Sequence, residues 1–165
     1  SHVKLAYYSI LFIDSIRLES GSVLLIPVTF DSMMTNLSDI AGVRVICPYI
    51  SDIYTVKEML IKQPDITLVA ENDYIENPKE SGYRSLHLVV EVPVYLSKTA
   101  HNVRVEIQLR TIAMDFWASL EHELRYKTTT KVPDSVRREL FRAAETIAMT
   151  DRQMEEIAIE LQQLD

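Results

Sequence analysis

Nine residues, "VRVEIQLRT" at 103–111, alternate without a break between Val103, Val105, Ile107 and Leu109 on one side and Arg104, Glu106, Gln108 and Arg110 on the other. Successive side chains of a strand point to opposite faces, so this segment belongs to a sheet with one apolar face and one densely polar face. An ordinary half-exposed antiparallel strand shows the same alternation, and the neighbouring segments decide between the two readings. "ESGYRSLHLVVEVPVYL" at 80–96 reads as a second, largely buried strand, yet Tyr83, Arg84 and His87 stand at its mouth. "GVRVICPYI" at 42–50 puts Val43, Val45, Cys47 and Tyr49 on one face, and Pro48 ends it or places it near an edge.

Around these strands the pattern changes period. The first thirty residues begin with a helix-like apolar spacing and end, after Gly21, in the strand-like "SVLLIPVTF". "SDIYTVKEMLIKQPD" predicts a helix with Ser51 as N-cap, Ile53, Val56 and Leu60 on one face and Pro64 as its stop, followed by a short strand "ITLVAE" and a loop. "TIAMDFWASLEHELRYK" predicts an amphipathic helix burying Ile112, Phe116, Trp117, Leu120 and Leu124, with Asp115, Ser119 and His122 on or near its other face. From Val132 to Asp165 a long helix is expected, with Asp134 as N-cap and a break near Thr150. Its apolar face of Val136, Leu140, Ala143, Ile147, Met154, Ile157, Leu161 and Leu164 would cover the sheet or self-associate. Strand, helix, strand, loop, strand, strand, helix is the order of an α/β or α+β sheet domain.

Composition narrows the class. With 165 residues, 47% of them hydrophobic, the chain can bury one good core and reads as one domain. No stretch approaches the roughly 18 apolar residues of a membrane span, and the first residues lack signal-peptide regions, so a cytoplasmic protein is expected. The single cysteine, Cys47, lies in an apolar run and reads as a buried structural thiol. A formal charge of −7 argues against binding long nucleic acid. Between Lys79 and Lys127, however, seven Lys/Arg stand against six Asp/Glu, so a small polyanion is best received there.

The polar groups of this region suit such a ligand. Asp39, at the start of "DIAGVRV", supplies a carboxylate on another strand, with Gly42 allowing close backbone approach and Arg44 following. Asp39 and Glu106 on neighbouring strands could hold a magnesium ion that leaves positions for phosphate oxygens. Tyr83 offers a face for stacking a base, Arg84 a bidentate phosphate partner and His87 a hydrogen-bonding group, with Lys79 and Ser81 adding donors. Each has a plainer alternative: a capping aspartate, a tyrosine packed on the sheet edge, a solvated arginine. No zinc-spaced His/Cys pair, P-loop, GxSxG elbow or GxGxxG fingerprint is present.

In that order and spacing, "DIAGVRV", "GYRSLHLVVEVPV" and "VEIQLRTIAMDFWASLEHELRYK" resemble the synthetase domain of the RelA/SpoT homologues, over roughly Asp39 to Asp165. Without a hydrolase domain or regulatory C-terminal domains in view, the chain resembles the small alarmone synthetases among them. The resemblance implies an α+β fold, a mixed, mostly five-stranded sheet flanked by helices and related to nucleotidyltransferases. It implies Mg2+-dependent transfer of the β,γ-pyrophosphate of ATP to the 3′-hydroxyl of GDP or GTP, giving AMP and (p)ppGpp. Matched position by position, Asp39 and Glu106 are the metal-binding and catalytic carboxylates. Tyr83 stacks on guanine, Lys79, His87 and Gln108 line the acceptor nucleotide, and Arg44 contacts ATP; Arg84 and Arg110, read from their own positions, are further candidates for ATP and phosphate binding. A homotetramer is implied as well, with the long C-terminal helix a candidate contact.

Two departures stand out. The family's basic Gly-Arg-x-Lys segment, which helps bind ATP, is not found where "IPVTF" runs into "DSMMTNLSDI"; the chain is expected to join two segments across residues missing between about 30 and 31. Asp115 stands where several members have asparagine, which weakens the carry-over of their alarmone-stimulated regulation. Two other readings remain open from sequence: a catalytically weak guanine-nucleotide-binding regulatory protein of the same fold, and a different nucleotidyltransferase with the same carboxylate pair.

Overall fold

The structure, a computed structural model, describes residues 7–11, 41–96, 99–126 and 132–164. The strand-like run before residue 31, the Phe30–Asp31 junction and Asp39 lie outside the described residues. Strands β1 (Tyr7–Leu11), β2 (Ala41–Cys47), β3 (Thr67–Asp73), β4 (Leu86–Leu96) and β5 (Thr99–Thr111) form a sheet in the order β1-β2-β5-β4-β3. β2 and β5 run parallel and the other neighbours antiparallel, so the sheet is mixed. Helices α1 (Ile50–Ile61), α2 (Ile112–Tyr126) and α3 (Asp134–Gln162) complete an α+β domain. The helix-like start of the chain is corrected over 7–11, which pair with β2. Tyr and Ile at these positions favour a strand, and a short apolar run cannot separate the two periods.

Register converts the alternation of β5 into two faces. Val45 pairs with Leu109 and Leu109 with Leu86, while Val43 pairs with Ile107 and Ile107 with Leu88. These rows, with Val90, Cys47, Met114 and Ile53 and Val56 of α1, form the main core. Cys47 is 1% exposed, and burial pushes its thiol pKa up to about 11, as expected of a structural cysteine. One residue out of phase, Arg44 pairs with Gln108, Gln108 with His87, and His87 with Asn72, a polar row running straight across four strands.

The helix ends are fastened by side chains from elsewhere. α1 begins beyond an extended Tyr49 with no side-chain cap, so Ser51 is not the N-cap; its backbone N–H donates instead to Glu155 Oε1 of α3 at 2.8 Å. α1 ends at Ile61, short of Pro64, whose ring disfavours helical backbone in the residue before it. At the start of α2, Thr111 Oγ1 accepts from the Met114 N–H at 3.1 Å and donates to the buried Asp151 of α3 at 2.6 Å. A single turn of α3, Asp151 to Glu155, thus serves two helix N-termini, where carboxylates are favoured by the exposed N–H groups and the helix dipole.

Two expectations for the helices are corrected. α3 starts beyond Pro133 with Asp134 inside its first turn, and it runs unbroken through Thr150, whose hydroxyl donates to the Thr146 carbonyl at 3.0 Å. Both apolar faces are also rotated. α2 buries Met114, Trp117 and Ala118 and exposes Ile112, Phe116, Leu120 and Leu124, while α3 buries Ala144, Ala148 and Asp151 and exposes Val136, Met154, Ile157 and Leu161. Trp117 decides the orientation of α2: its ring clusters with Ala118 and Ala144, and its indole N–H donates to the Leu140 carbonyl at 3.3 Å. Small residues on α3 let the two helices approach there.

Residues 74–85 form the loop that presents the mouth of β4. Asp73 Oδ1 accepts from the N–H groups of Ile75 and Glu76, and a turn closes where Gly82 N–H donates to the Lys79 carbonyl at 2.8 Å. Gly82 has φ +86°, and a Cβ there would stand 2.5 Å from the Ala144 Cβ. Gly82→Ala therefore combines a left-handed backbone cost of about 1 kcal/mol with a steric clash. A loss of about 2–3 kcal/mol is expected in denaturant unfolding. Adding Ala144→Gly should relieve the clash, offset by about 1 kcal/mol for a glycine inside α3, which the Ala144→Gly single variant measures.

Candidate active site

Glu106, Gln108 and Arg110 share the polar face of β5, with Arg44 beside them on β2 and His87 on β4. The row is held by one continuous hydrogen-bond chain. Arg110 donates from one nitrogen to Asp115 Oδ1 at 3.2 Å and from the other to Tyr83 Oη at 2.7 Å and Gln108 Oε1 at 3.0 Å. Tyr83 Oη lies 2.8 Å from His87 Nε2, and His87 Nδ1 lies 2.9 Å from Glu106 Oε1. Gln108 Nε2 donates to Glu106 Oε2 at 3.0 Å, closing the circuit. An ionised Glu106 can only accept, so His87 Nδ1 carries a hydrogen and donates to it; in the neutral imidazole Nε2 then accepts from the Tyr83 hydroxyl, whose oxygen accepts from Arg110.

Charge follows from these contacts. The His87 hydrogen bond, opposed by burial and helped by the Gln108 amide, holds the Glu106 carboxyl below its usual pKa. Glu106 is thus ionised through the neutral range. Arg44 reaches Asp115 Oδ1 at 3.4 Å, so one carboxylate oxygen lies between two guanidinium groups. Burial, and then the charge of Arg110, lower the Arg44 pKa, while Asp115 opposes both. The Nε atoms of Arg44 and Arg110 have no hydrogen-bond partner among the described residues. Around Tyr83, the Lys79 ammonium lies 5.2 Å from the ring centroid and 4.6 Å from that of Tyr74, and Arg110 lies 5.2 Å from Tyr83. The Tyr74 and His87 rings meet it edge-on at 6.1 and 5.9 Å.

Of the residues singled out from sequence, Arg44, Lys79, Tyr83, His87, Glu106, Gln108 and Arg110 gather here. Arg84 does not: its guanidinium turns to α3, donating to Glu145 Oε1 at 2.8 Å and to the Gly82 carbonyl at 3.2 Å. Gly42 is paired with Glu106, and no described atom lies within 4 Å of where its Cβ would be, so it leaves room beside the carboxylate rather than a close protein contact. Sequence reasoning did not include Asp115 or Tyr74 among the site residues. Asp115 lies five residues past Arg110, across a strand-to-helix junction where neither period predicts a meeting. Tyr74 sits in a loop with no spacing signal at all.

A magnesium ion is the cofactor that the resemblance implies. Among the described residues no group of three His, Cys, Asp or Glu side chains could cage a metal. Magnesium bound with nucleotides, however, commonly uses one or two carboxylates and keeps water and phosphate as its other ligands. Glu106 fits that mode. It is ionised, each oxygen accepts one bond and keeps spare acceptor capacity, and space is open beside it at Gly42.

Comparison with known proteins shows the family of the chain. Residues 21–131 match the family profile of the region found in RelA / SpoT proteins. The chain is 50% identical over 127 residues to GTP pyrophosphokinase YwaC of Bacillus subtilis, covering 77% of this chain and 60% of that protein. It is 47% identical over 128 residues to GTP pyrophosphokinase YjbM of the same organism, covering 78% and 61%. The chain therefore spans about three fifths of the length of these curated relatives. Among solved structures, small alarmone synthetase 1 from Bacillus subtilis bound to its product pppGpp superposes with a TM-score of 0.73 at 45% identity, covering 81% of this chain and 68% of that one. Small alarmone synthetase 2 from the same organism gives 0.74 at 46%, covering 80% and 77%.

Two measurements test the hydrogen-bond chain. Tyr83→Phe removes an acceptor from a guanidinium that is 5% exposed and a donor from His87, so a loss of about 1–2 kcal/mol in unfolding free energy is expected. Glu106 is held below an unfolded-state pKa of about 4.5, so the stability it contributes is present above that pH and lost as pH falls through its lower folded value. Glu106→Gln should flatten the decline of melting temperature below pH 4.5. An unchanged acid limb would show that the carboxylate is not held by these bonds.

Proposed function

The chain belongs to the family of RelA / SpoT proteins, and from that premise we propose that it is a (p)ppGpp synthetase. It would transfer the β,γ-pyrophosphate of ATP to the 3′-hydroxyl of GDP or GTP, giving AMP and the alarmone of the stringent response. One observation supports the reading: an ionised carboxylate, Glu106, lies on the middle strand beside the polar row, with Arg44 on the β2 side and Tyr83, His87 and Lys79 on the β4 side. The nucleotidyltransferase kinship of the fold belongs to the same proposal. So do the cytoplasmic setting and a homotetramer, whose contacts would cover apolar positions that α2 and α3 leave exposed, such as Phe116 and Ile157.

The residues divide the work as follows. Arg44 takes ATP phosphate oxygens, since it is the more accessible of the two site arginines, with its side chain 26% exposed against 6% for Arg110. Arg110 supports it from below through Asp115. Arg84, committed to Glu145, contributes by fixing the loop that carries Tyr83. Tyr83 and Tyr74 offer the guanine aromatic surface, with Lys79 near its phosphates and His87 and Gln108 lining the sugar. Glu106 and Asp39 would hold Mg2+, which when bound shields the phosphate charges and polarises the transferred group.

In the transfer step the acceptor 3′-oxygen forms a bond to the β-phosphorus of ATP, the bond from that phosphorus to the α,β-bridging oxygen breaks, and AMP leaves. The hydroxyl proton passes to Glu106. A carboxylate below its usual pKa is a weak base towards a free hydroxyl. It accepts the proton late, once the 3′-oxygen is bonded to phosphorus and strongly acidic, as suits a loose phosphoryl-transfer transition state. His87 and Gln108 keep the carboxylate turned towards the acceptor throughout.

Incubation with ATP, GDP or GTP and Mg2+, followed by separation of nucleotides, is expected to yield AMP and (p)ppGpp in equal amounts. Glu106→Gln should lower turnover by about a hundredfold or more and leave guanine-nucleotide affinity within a few-fold. Asp39→Asn should depress activity and raise the Mg2+ requirement at an unchanged melting temperature. Nucleotide binding without any AMP release from the parent protein would favour the regulatory alternative over an enzyme.

A further inference from the structure

We infer that Asp115 is a built-in counter-ion that limits how tightly the arginine pair holds polyphosphate; the inference rests on the proposed ATP side of the site. A single oxygen, Oδ1, lies 3.4 Å from an Arg44 nitrogen and 3.2 Å from an Arg110 nitrogen. Its carboxylate is the only acidic partner of either guanidinium among the ion pairs of the described residues. The two arginines differ in what else they have. Arg110 is nearly buried and also donates to Tyr83 and Gln108, so its orientation is set three times over. Arg44 has no other described ion pair, and its Nε is buried without a partner among the described residues. Any phosphate oxygen arriving at Arg44 must therefore share that cation with Asp115.

The physical consequence is directional. A partly buried carboxylate so close to the phosphate position repels the incoming anion and must release or share a hydrogen-bonded partner when the anion binds. An asparagine keeps the shape and one acceptor oxygen but removes the charge. It leaves two guanidinium groups close together with one full positive charge more for a polyanion to satisfy. A residue whose only role were to hold the fold would, on substitution, loosen the site and weaken binding. A counter-ion does the opposite, because removing it tightens binding.

The test is calorimetric titration of parent, Asp115→Asn and Asp115→Glu proteins with a non-hydrolysable ATP analogue and with inorganic tripolyphosphate, at two salt concentrations. Asp115→Asn is expected to bind both ligands about five- to tenfold more tightly at low salt, and the difference should shrink as salt rises. Asp115→Glu, which retains the charge, should stay within about twofold of the parent. GDP affinity should change less than that of the ATP analogue, since Arg44 stands across β5 from Tyr83. Equal or weaker ATP-analogue binding by a folded asparagine variant overturns the inference and leaves the synthetase reading intact. A parent protein that binds no ATP analogue overturns both. If only the glutamate variant folds, Asp115 is a structural counter-ion and the inference fails.

Discussion

Arg110 has a cationic side chain that is 6% exposed, and much of the site's arrangement can be understood as the answer to that burial. A guanidinium removed from water needs acceptors in its plane and a negative charge nearby. Asp115 supplies the charge, while the Tyr83 hydroxyl and the Gln108 carbonyl supply the acceptors. Each of these three belongs to a different element: the start of α2, the loop before β4, and β5 itself. Satisfying one buried cation therefore fixes the relative positions of three segments. The same bonds orient Tyr83 towards His87 and Gln108 towards Glu106, so the catalytic candidate inherits its geometry from a buried group that need not touch a substrate.

A second set of contacts keeps that geometry from drifting. The loop bearing Tyr83 is held to α3 by Arg84 and Glu145 and by the contact of Gly82 with Ala144. α3 is in turn tied to α1 and α2 through Glu155 and Asp151. Asp151 is buried and its pKa is raised, because the loss of hydration outweighs the hydrogen bond from Thr111. Its value is positional: it holds the hydroxyl that accepts the first N–H of α2 available to it. In this way α3 serves the polar face of the sheet without contributing a residue to it.

What could be read in the sequence, and what could not, divides along a physical line. Alternation in "VRVEIQLRT" and "VRVIC" is a strictly local property with a period of two, and it locates β5, β2 and their polar faces from the sequence alone. Tyr83, His87 and Lys79 were legible because polar and aromatic groups at the mouth of an apolar strand are chemically out of place. The orientation of α2 was not legible. Its apolar residues form two stripes wide enough for either face to be buried, and Trp117 against Ala144 settles the choice through a contact between residues 27 positions apart. Arg84 and Arg110 look alike as solitary arginines beside a site. Only tertiary partners reveal that one is bound to Glu145 and the other buried beneath Tyr83.

The order of strands makes a two-substrate reading physically economical. β5 lies between β2 and β4, so Glu106 has a neighbour on either side in the plane of the sheet. On the β2 side that neighbour is Gly42, with Arg44 two residues on; on the β4 side it is Val89, with His87 two residues back. Arg44 thus stands on one side of the carboxylate, and the aromatic groups, with Lys79 and Arg110 against the Tyr83 ring, on the other. On the proposed reading the ATP phosphates lie over β2 at Arg44 and the guanine nucleotide over β4, with Lys79 near its phosphates. Their reacting atoms can meet only above the middle strand, where Gly42 leaves space that any other side chain would begin to fill. Had β4 and β2 been neighbours and β5 an edge, the same residues would have left Glu106 beside one ligand and out of reach of the other.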